Sequence, residues 1–371
     1  MLPRHVYVHV PFCARRCSYC DFAIAVRSNV PTGEYLEALG RELELRVPER
    51  SSEPVESIYL GGGTPSRLGP DGVARAIAAV ADRFPLAPNG EVTIEANPDD
   101  VTADAVASWR AAGVNRVSLG VQSFDDRALA WMHRTHDAAT AMRAAHTIRD
   151  AGIENWSLDL IFSLPSELGR SWDADVSAAT ELAPPHVSLY GLTVEPHTPI
   201  ARWRDRGRDV EGTDETYERE YLHADRAFVA AGYEHYEVSN FALPGRRSRH
   251  NAGYWSGASY VGFGPGAHGF DGVERRWNER EYVVWQRRLC ADEDPVAGSE
   301  RLSTENQLSE AVYLGLRTTT GLTIRGEDER SVRAWIDAGW GWLEAGRLRL
   351  TAEGWLRLDA LATSLTMLRS R

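Results

Sequence analysis

Along the first two-thirds of the chain, short apolar runs alternate with longer segments whose apolar residues recur at helical spacing. Val6–Phe12, Val55–Leu60, Glu91–Ala96, Arg116–Val121, Trp156–Phe162 and His186–Leu192 read as strands. Between them, Glu34–Leu45, Pro70–Arg83, Thr102–Ala112, Asp137–Ala151 and Ser171–Leu182 read as helices, and Gly152 suits a helix C-cap. The βα units recur about every 30–40 residues, which predicts parallel strands joined by right-handed crossovers. Such units build either a doubly wound sheet or a barrel. No G-x-G-x-x-G opens the first helix, so the key feature of a dinucleotide-binding sheet is missing. Polar and glycine-rich positions instead follow strand after strand: a group of cysteines, Gly61–Thr64, Glu95-Ala96-Asn97, Gln122 and Asp159. Barrel sites collect at such strand ends. The α/β expectation is an open partial (β/α)6, TIM-like barrel over residues 1–212.

The pattern changes at Thr213. Asp214–Ala231 reads as a long helix, Tyr233–Phe241 as a strand, and Gly245–Gly272 is rich in glycine, serine and aromatics. Residues 213–300 are expected to form an α+β extension. Ser303–Thr318 reads as a helix capped by Ser303. Ser331–Ala338, Gly346–Leu350 and Thr351–Leu361 follow as a helix–hairpin–helix, so 301–371 is expected to be a small winged-helix-like module, a partner surface or a lid.

Composition narrows the function classes. The net charge of −12 argues against general nucleic-acid binding, which needs a basic face. All 41 basic residues are arginine, a pattern that codon bias accounts for and that could also furnish arginines for propionates or phosphates. No apolar run approaches the roughly 18–20 residues of a membrane span. Met1–His5 lead into the first strand without a signal-peptide pattern, so the cytoplasm is expected, although partners at a membrane remain compatible.

Three of the four cysteines fall within eight residues: Cys13, Cys17 and Cys20, spaced C-x3-C-x2-C. In a reducing compartment such thiols point to metal or redox chemistry rather than disulfides. Iron–sulfur clusters are held by thiolates, usually four. Three would leave one iron of a [4Fe–4S] cube open to the amino and carboxylate groups of S-adenosylmethionine (SAM). Zinc held with His9 or Asp21 is the competing reading, but structural zinc usually takes two separated pairs. Cys290 reads as an ordinary core residue.

With Tyr7 through Phe22, Gly61-Gly62-Gly63-Thr64-Pro65-Ser66, Gln122-Ser123-Phe124, Asp159-Leu160-Ile161, His250-Asn251-Ala252-Gly253-Tyr254-Trp255 and Gly262-Phe263-Gly264-Pro265-Gly266-Ala267, the chain resembles the radical SAM superfamily. More narrowly it is similar, over nearly its whole length, to the branch of oxygen-independent coproporphyrinogen III oxidase and the haem chaperone HemW. The resemblance implies a [4Fe–4S] cluster on Cys13, Cys17 and Cys20, with reductive opening of SAM to a 5′-deoxyadenosyl radical as the chemistry available there. It implies that Gly61, Gly62, Gly63 and Thr64 meet the SAM amino group. Tyr7 would lie near the adenosyl portion and Tyr19 near adenine. Glu95, Gln122, Arg134 and Asp159 would line the pocket, and Gly191 would touch adenine through its backbone. His250 would be a haem ligand, with Tyr254 and Trp255 beside the porphyrin face and His268 and His235 as alternatives. A hydrogen-bonding histidine in an aromatic core is the ordinary reading of His250.

Two departures divide the branch. The oxidase pattern has a fourth cysteine two residues after the third, where this chain has Phe22, and an extension before the cluster strand, where this chain reaches its first cluster cysteine at residue 13. Both match the chaperone type. The resemblance therefore implies a protein that binds haem and passes it to recipient haem proteins, served by an electron donor. The alternative is an enzyme that decarboxylates coproporphyrinogen III propionates. No residue is assigned to that catalysis.

Overall fold

The computed structural model describes residues 2–370. Six parallel strands form its centre: β1 (His5–Val10), β2 (Val55–Gly62), β3 (Leu86–Ala96), β4 (Arg116–Gln122), β5 (Trp156–Phe162) and β6 (His186–Gly191), each paired with the next. The helices α1 (Thr32–Arg46), α2 (Gly69–Arg83), α3 (Ala103–Ala111), α4 (Ala138–Asp150) and α5 (Trp172–Leu182) fall in the five crossovers. Their starts follow local chemistry. Thr102, Asp137 and Ser171 each accept a hydrogen bond from the backbone N–H three residues on. Val6, Val8 and Val10 of β1 are buried in the core shared with Tyr35, Leu39 and Leu43 of α1. The alternate residues His5, Tyr7 and His9 therefore point to the other, concave face.

The extension does not stand apart from the barrel. Its strands are β7 (Glu234–Glu237), β8 (Asn240–Ala242), β9 (Tyr260–Phe263), β10 (His268–Phe270), β11 (Glu274–Asn278) and β12 (Val296–Arg301). They lengthen the same sheet at both edges, giving the order β12-β11-β10-β9-β1-β2-β3-β4-β5-β6-β8-β7. β9 runs parallel to β1, with Tyr7 opposite Gly262, whereas β8 runs antiparallel to β6. The single strand expected over Tyr233–Phe241 is two short strands, β7 and β8, turning at Val238-Ser239.

The last module packs a helix Thr304–Arg317, capped by Ser303 as expected, against a three-stranded sheet and a final helix Leu358–Arg369 around a separate apolar core. Its hairpin turns through Ala345 and Gly346, both left-handed. The helix read over Thr351–Leu361 is broken into Ala352–Trp355 and Leu358–Arg369. Among the described residues, no helix is long and apolar enough to cross a membrane.

Candidate functional site

The cysteine loop leaves the end of β1 and folds back on itself. Phe12–Cys13 pairs in parallel with Ala25–Val26, and the Ala25 N–H donates to the Pro11 carbonyl at 2.7 Å. The loop is tied down outside itself as well: Ser18 N–H donates to Met132 O and Ile200 N–H to Ser18 O, both at 3.0 Å. Below it lies an apolar cluster of Leu129, Met132, Ile161 and Leu192, with Tyr19 packed against it.

Cys13, Cys17 and Cys20 line one cavity of about 540 Å³ at the ends of β1 to β6. The same cavity is lined by Tyr19, Gly62, Gly63, Thr64, Glu95, Gln122, Arg134, Asp159 and Gly191. Six successive strand ends thus deliver the expected residues to one space. Burial pushes the Cys20 thiol up to about 12 and raises Cys13 too, so positive charge must be supplied if these sulfurs are to be thiolates. Some is already present: Arg134 Nη1 donates to Cys17 Sγ at 3.4 Å, and Thr64 Oγ1 lies 3.6 Å from Cys13 Sγ. Arg134 also donates to the Gly120 carbonyl at 2.8 Å and to Asn97 Oδ1.

The glycine turn needs its glycines. Gly62 has φ +110°, and a Cβ there would strike the His9 ring; one on Gly63 would strike the Pro11 backbone. The Gly62 N–H donates to Glu95 Oε2 at 2.9 Å, and Tyr59 Oη to Glu95 Oε1 at 2.8 Å. Burial still holds the Glu95 carboxyl up to about 7. Burial also raises Asp159, which accepts from Ser118 Oγ at 3.1 Å and Ser157 Oγ at 3.3 Å. Gln122 sits at φ +70°, a left-handed non-glycine backbone of the kind that functional sites hold. Gly191 faces the Tyr217 ring so closely that no side chain fits. Three thiols, a glycine-walled turn and buried carboxylates on one cavity suit a thiolate-bound cluster with an amino acid and a ribose beside it.

Other expectations are placed elsewhere. Tyr7 and Gly61 do not line this cavity. Tyr7 lines a second one, where its hydroxyl meets His9 Nδ1 at 3.1 Å, and Gly61 lies beneath the Tyr59, Glu95 and Tyr7 side chains. His250 is 1% exposed, with Ser57 Oγ on Nδ1 at 2.7 Å and Tyr254 Oη on Nε2 at 2.9 Å. Burial, then His5 and Arg116, hold it neutral. Both ring nitrogens are occupied, so in this arrangement His250 is a hydrogen-bonding core histidine and not an open ligand. Trp255 lies under the Arg317 guanidinium, 4.0 Å from its ring centre, and so braces the last module. His235 is closed by Asp225 Oδ1 at 2.7 Å and stacked on Phe241. Cys290, expected in the core, is exposed, because it falls at the end of the helix Tyr282–Cys290 beyond its buried face.

Sequence reasoning passed over Ser118, His133 and Tyr190, which line the cysteine cavity. The signal for two of them was period-two placement: Ser118 is two residues before Gly120, and Tyr190 two after Ser188, on inward-facing strand positions, whereas His133 lies in a turn and had none.

Residues 7–176 match the model of the Radical SAM superfamily. "Heme chaperone HemW" of Mycobacterium tuberculosis is 40% identical over 98% of this chain and 95% of its own length. A protein of the same name from Synechocystis is 36% identical over 87% of this chain and 80% of its own. The structure of coproporphyrinogen III oxidase (HemN) from Escherichia coli, described as a radical SAM enzyme, superposes with a TM-score of 0.82 over 97% of this chain and 89% of that one at 20% identity, a likeness of fold. The partial barrel, its convergent cysteine cavity and these relationships place the chain in the radical SAM superfamily, within the HemW family.

Proposed function

We propose that this chain is a haem chaperone: it carries a [4Fe–4S] cluster on Cys13, Cys17 and Cys20, binds SAM beside it, and takes up haem for delivery to recipient haem proteins. The observation that carries the reading is similarity along nearly the full length to proteins named heme chaperone HemW, in a chain with Phe22 at the fourth-cysteine position of the oxidase pattern. Phe22 is 60% exposed and lines both cavities.

Bound together, the cluster and SAM supply one-electron chemistry at the SAM sulfonium. The residues around them have separable tasks. Cys13, Cys17 and Cys20 provide three thiolates and leave one iron without a protein ligand. Arg134 lends positive charge at Cys17. Gly62 and Gly63 keep side chains out of the wall where the amino acid end would rest. Asp159 and Gln122 offer polar groups to the same cavity, suited to ribose hydroxyls. Glu95, whose two oxygens already accept from Tyr59 and Gly62, stiffens the turn as well as facing the cavity.

The test is anaerobic cluster reconstitution followed by three parallel assays: 5′-deoxyadenosine release, coproporphyrinogen III consumption and haem binding with transfer to an apo haem protein. Stoichiometric haem uptake and transfer, without conversion of coproporphyrinogen, is expected. SAM-dependent protoporphyrinogen formation near about 1 s⁻¹, the low end of ordinary enzymes, would overturn it in favour of the decarboxylase.

A further inference from the structure

A second cavity of about 860 Å³ lies on the concave face where β9, β10 and β11 extend the sheet past β1. It touches the cysteine cavity at Phe22, Gly62 and Glu95, which line both. Its remaining lining joins the aromatic Tyr7, Tyr254, Tyr260 and Trp277 to the charged Asp21, Glu279 and Arg280. His268 and Trp277 face each other across β10 and β11, in register and stacked with ring centres 6.0 Å apart. Arg280 stands exposed on the lining and joins no ion pair among the described residues.

We propose that this cavity seats the haem, with His268 as the axial ligand to its iron and Arg280 as a partner for a propionate. The proposal rests on the chaperone reading and says where the cargo sits.

The histidines of this region differ in one respect. His9 gives Nδ1 to Tyr7 and Nε2 to the Ala23 carbonyl at 2.8 Å, and His250 gives both nitrogens to Ser57 and Tyr254. Among the described residues no hydrogen bond engages the His268 ring. Burial, and then Arg275, lower its basicity, so at neutral pH it is the neutral imidazole that ligates iron. A planar, apolar macrocycle suits stacked aromatic walls, and its carboxylates suit an unpaired guanidinium.

The glycine-rich segment before His268 also gains a purpose. Gly264 and Gly266 have φ of +95° and +70°. A Cβ on Gly264 would strike the His9 carbonyl, and one on Gly266 would come within 2.7 Å of the Ala23 Cβ in the cysteine loop. The turn is anchored by the buried Glu42, which accepts from Gly264 N–H at 2.8 Å, Asn278 Nδ2 at 2.7 Å and Trp285 Nε1 at 2.9 Å. The close turn therefore packs the segment just before His268 against β1 and the cluster loop.

The experiment titrates ferric haem into the cluster-loaded protein and into His268→Ala and His268→Cys, following the Soret band and the low-temperature EPR spectrum of the haem. Iron content and the SAM-induced change in the cluster signal serve as checks of folding. His268→Ala should lose more than about tenfold in haem affinity and shift its Soret band, with free imidazole restoring the band. Its affinity for metal-free protoporphyrin IX should stay within about twofold of wild type, since only the iron bond is removed. His268→Cys should move the spectrum to that of a thiolate ligand. Haem binding by wild type with unchanged spectra and affinity in both variants would overturn the site and leave the chaperone reading intact. Absence of haem binding by wild type would overturn that reading and the site with it.

Discussion

The two cavities that meet at Phe22, Gly62 and Glu95 are built in different ways. The cysteine cavity is made from the ends of six consecutive parallel strands and the loops that follow them, each contributing polar residues. The aromatic cavity combines Tyr7 and His9 of β1 with residues near 254–280, more than 240 positions away, joined by pairing of β9 with β1. The first is held by glycine turns and backbone bonds within its loop. The second depends on Glu42, a buried carboxylate on α1 that holds the Gly264 turn and Asn278 together. A site assembled by a distant return of the chain hangs on the group that closes it, here Glu42.

The largest effect should come from the cysteines. Cys13→Ala, Cys17→Ala or Cys20→Ala should abolish the roughly four irons per chain and the brown absorbance of reconstituted protein, whereas the exposed Cys290→Ala should change neither. A cluster that depends on Cys290 would break the assignment of the first cavity.

Glu42→Ala should sharpen the contrast. It removes the partner of Arg46 Nη1, 2.7 Å away, and leaves the Gly264, Asn278 and Trp285 donors without their acceptor. A loss of about 3–5 kcal/mol in denaturant unfolding is expected. In folded protein at low temperature, haem affinity should fall more than SAM affinity. Equal loss at both cavities would mean that the two are one mechanical unit.

Gly62→Val strains the shared wall, since its left-handed backbone and the nearby His9 ring leave no room for a side chain. SAM affinity, read from the EPR change of the reduced cluster, should fall about tenfold or more. Asp159→Ala should weaken the same signal, since its carboxylate lines the same cavity. An identical EPR spectrum with and without saturating SAM in wild type would remove the SAM pocket altogether.

The last effect is a pH dependence. Glu95 titrates near 7 in the fold because of its burial, against an ordinary value of 4.5. Between these values the folded chain keeps a proton that the unfolded chain has lost. Stability should therefore be fully present below that window and fall as pH rises through it, by at most about 1.4 kcal/mol per unit. Glu95→Gln should flatten this slope in urea midpoints taken from pH 5 to 8. An unchanged slope would assign the titration to another group.

What the sequence showed follows from range. The C-x3-C-x2-C loop, the Gly61–Thr64 turn and the Ser303 cap are local patterns, and short apolar runs marked the barrel strands within a few residues. The exception on β3 is instructive: expected from Glu91, it begins at Leu86, because pairing with Val55 recruits residues whose own pattern is weak. His250 shows the opposite limit. Its motif identified an important histidine but not that Ser57, fifty positions beyond the first strand, and Tyr254 would take both its nitrogens.

The sequence by itself determined the superfamily chemistry, because three thiols and a glycine turn are fixed by short segments that fold the same way wherever the strands place them. Only the tertiary structure decided which histidine is free. Hydrogen-bond occupancy and burial are set by whatever the sheet brings alongside, and the return of Tyr260–Phe263 to the edge of β1 is what leaves His268 beside an aromatic cavity while enclosing His250.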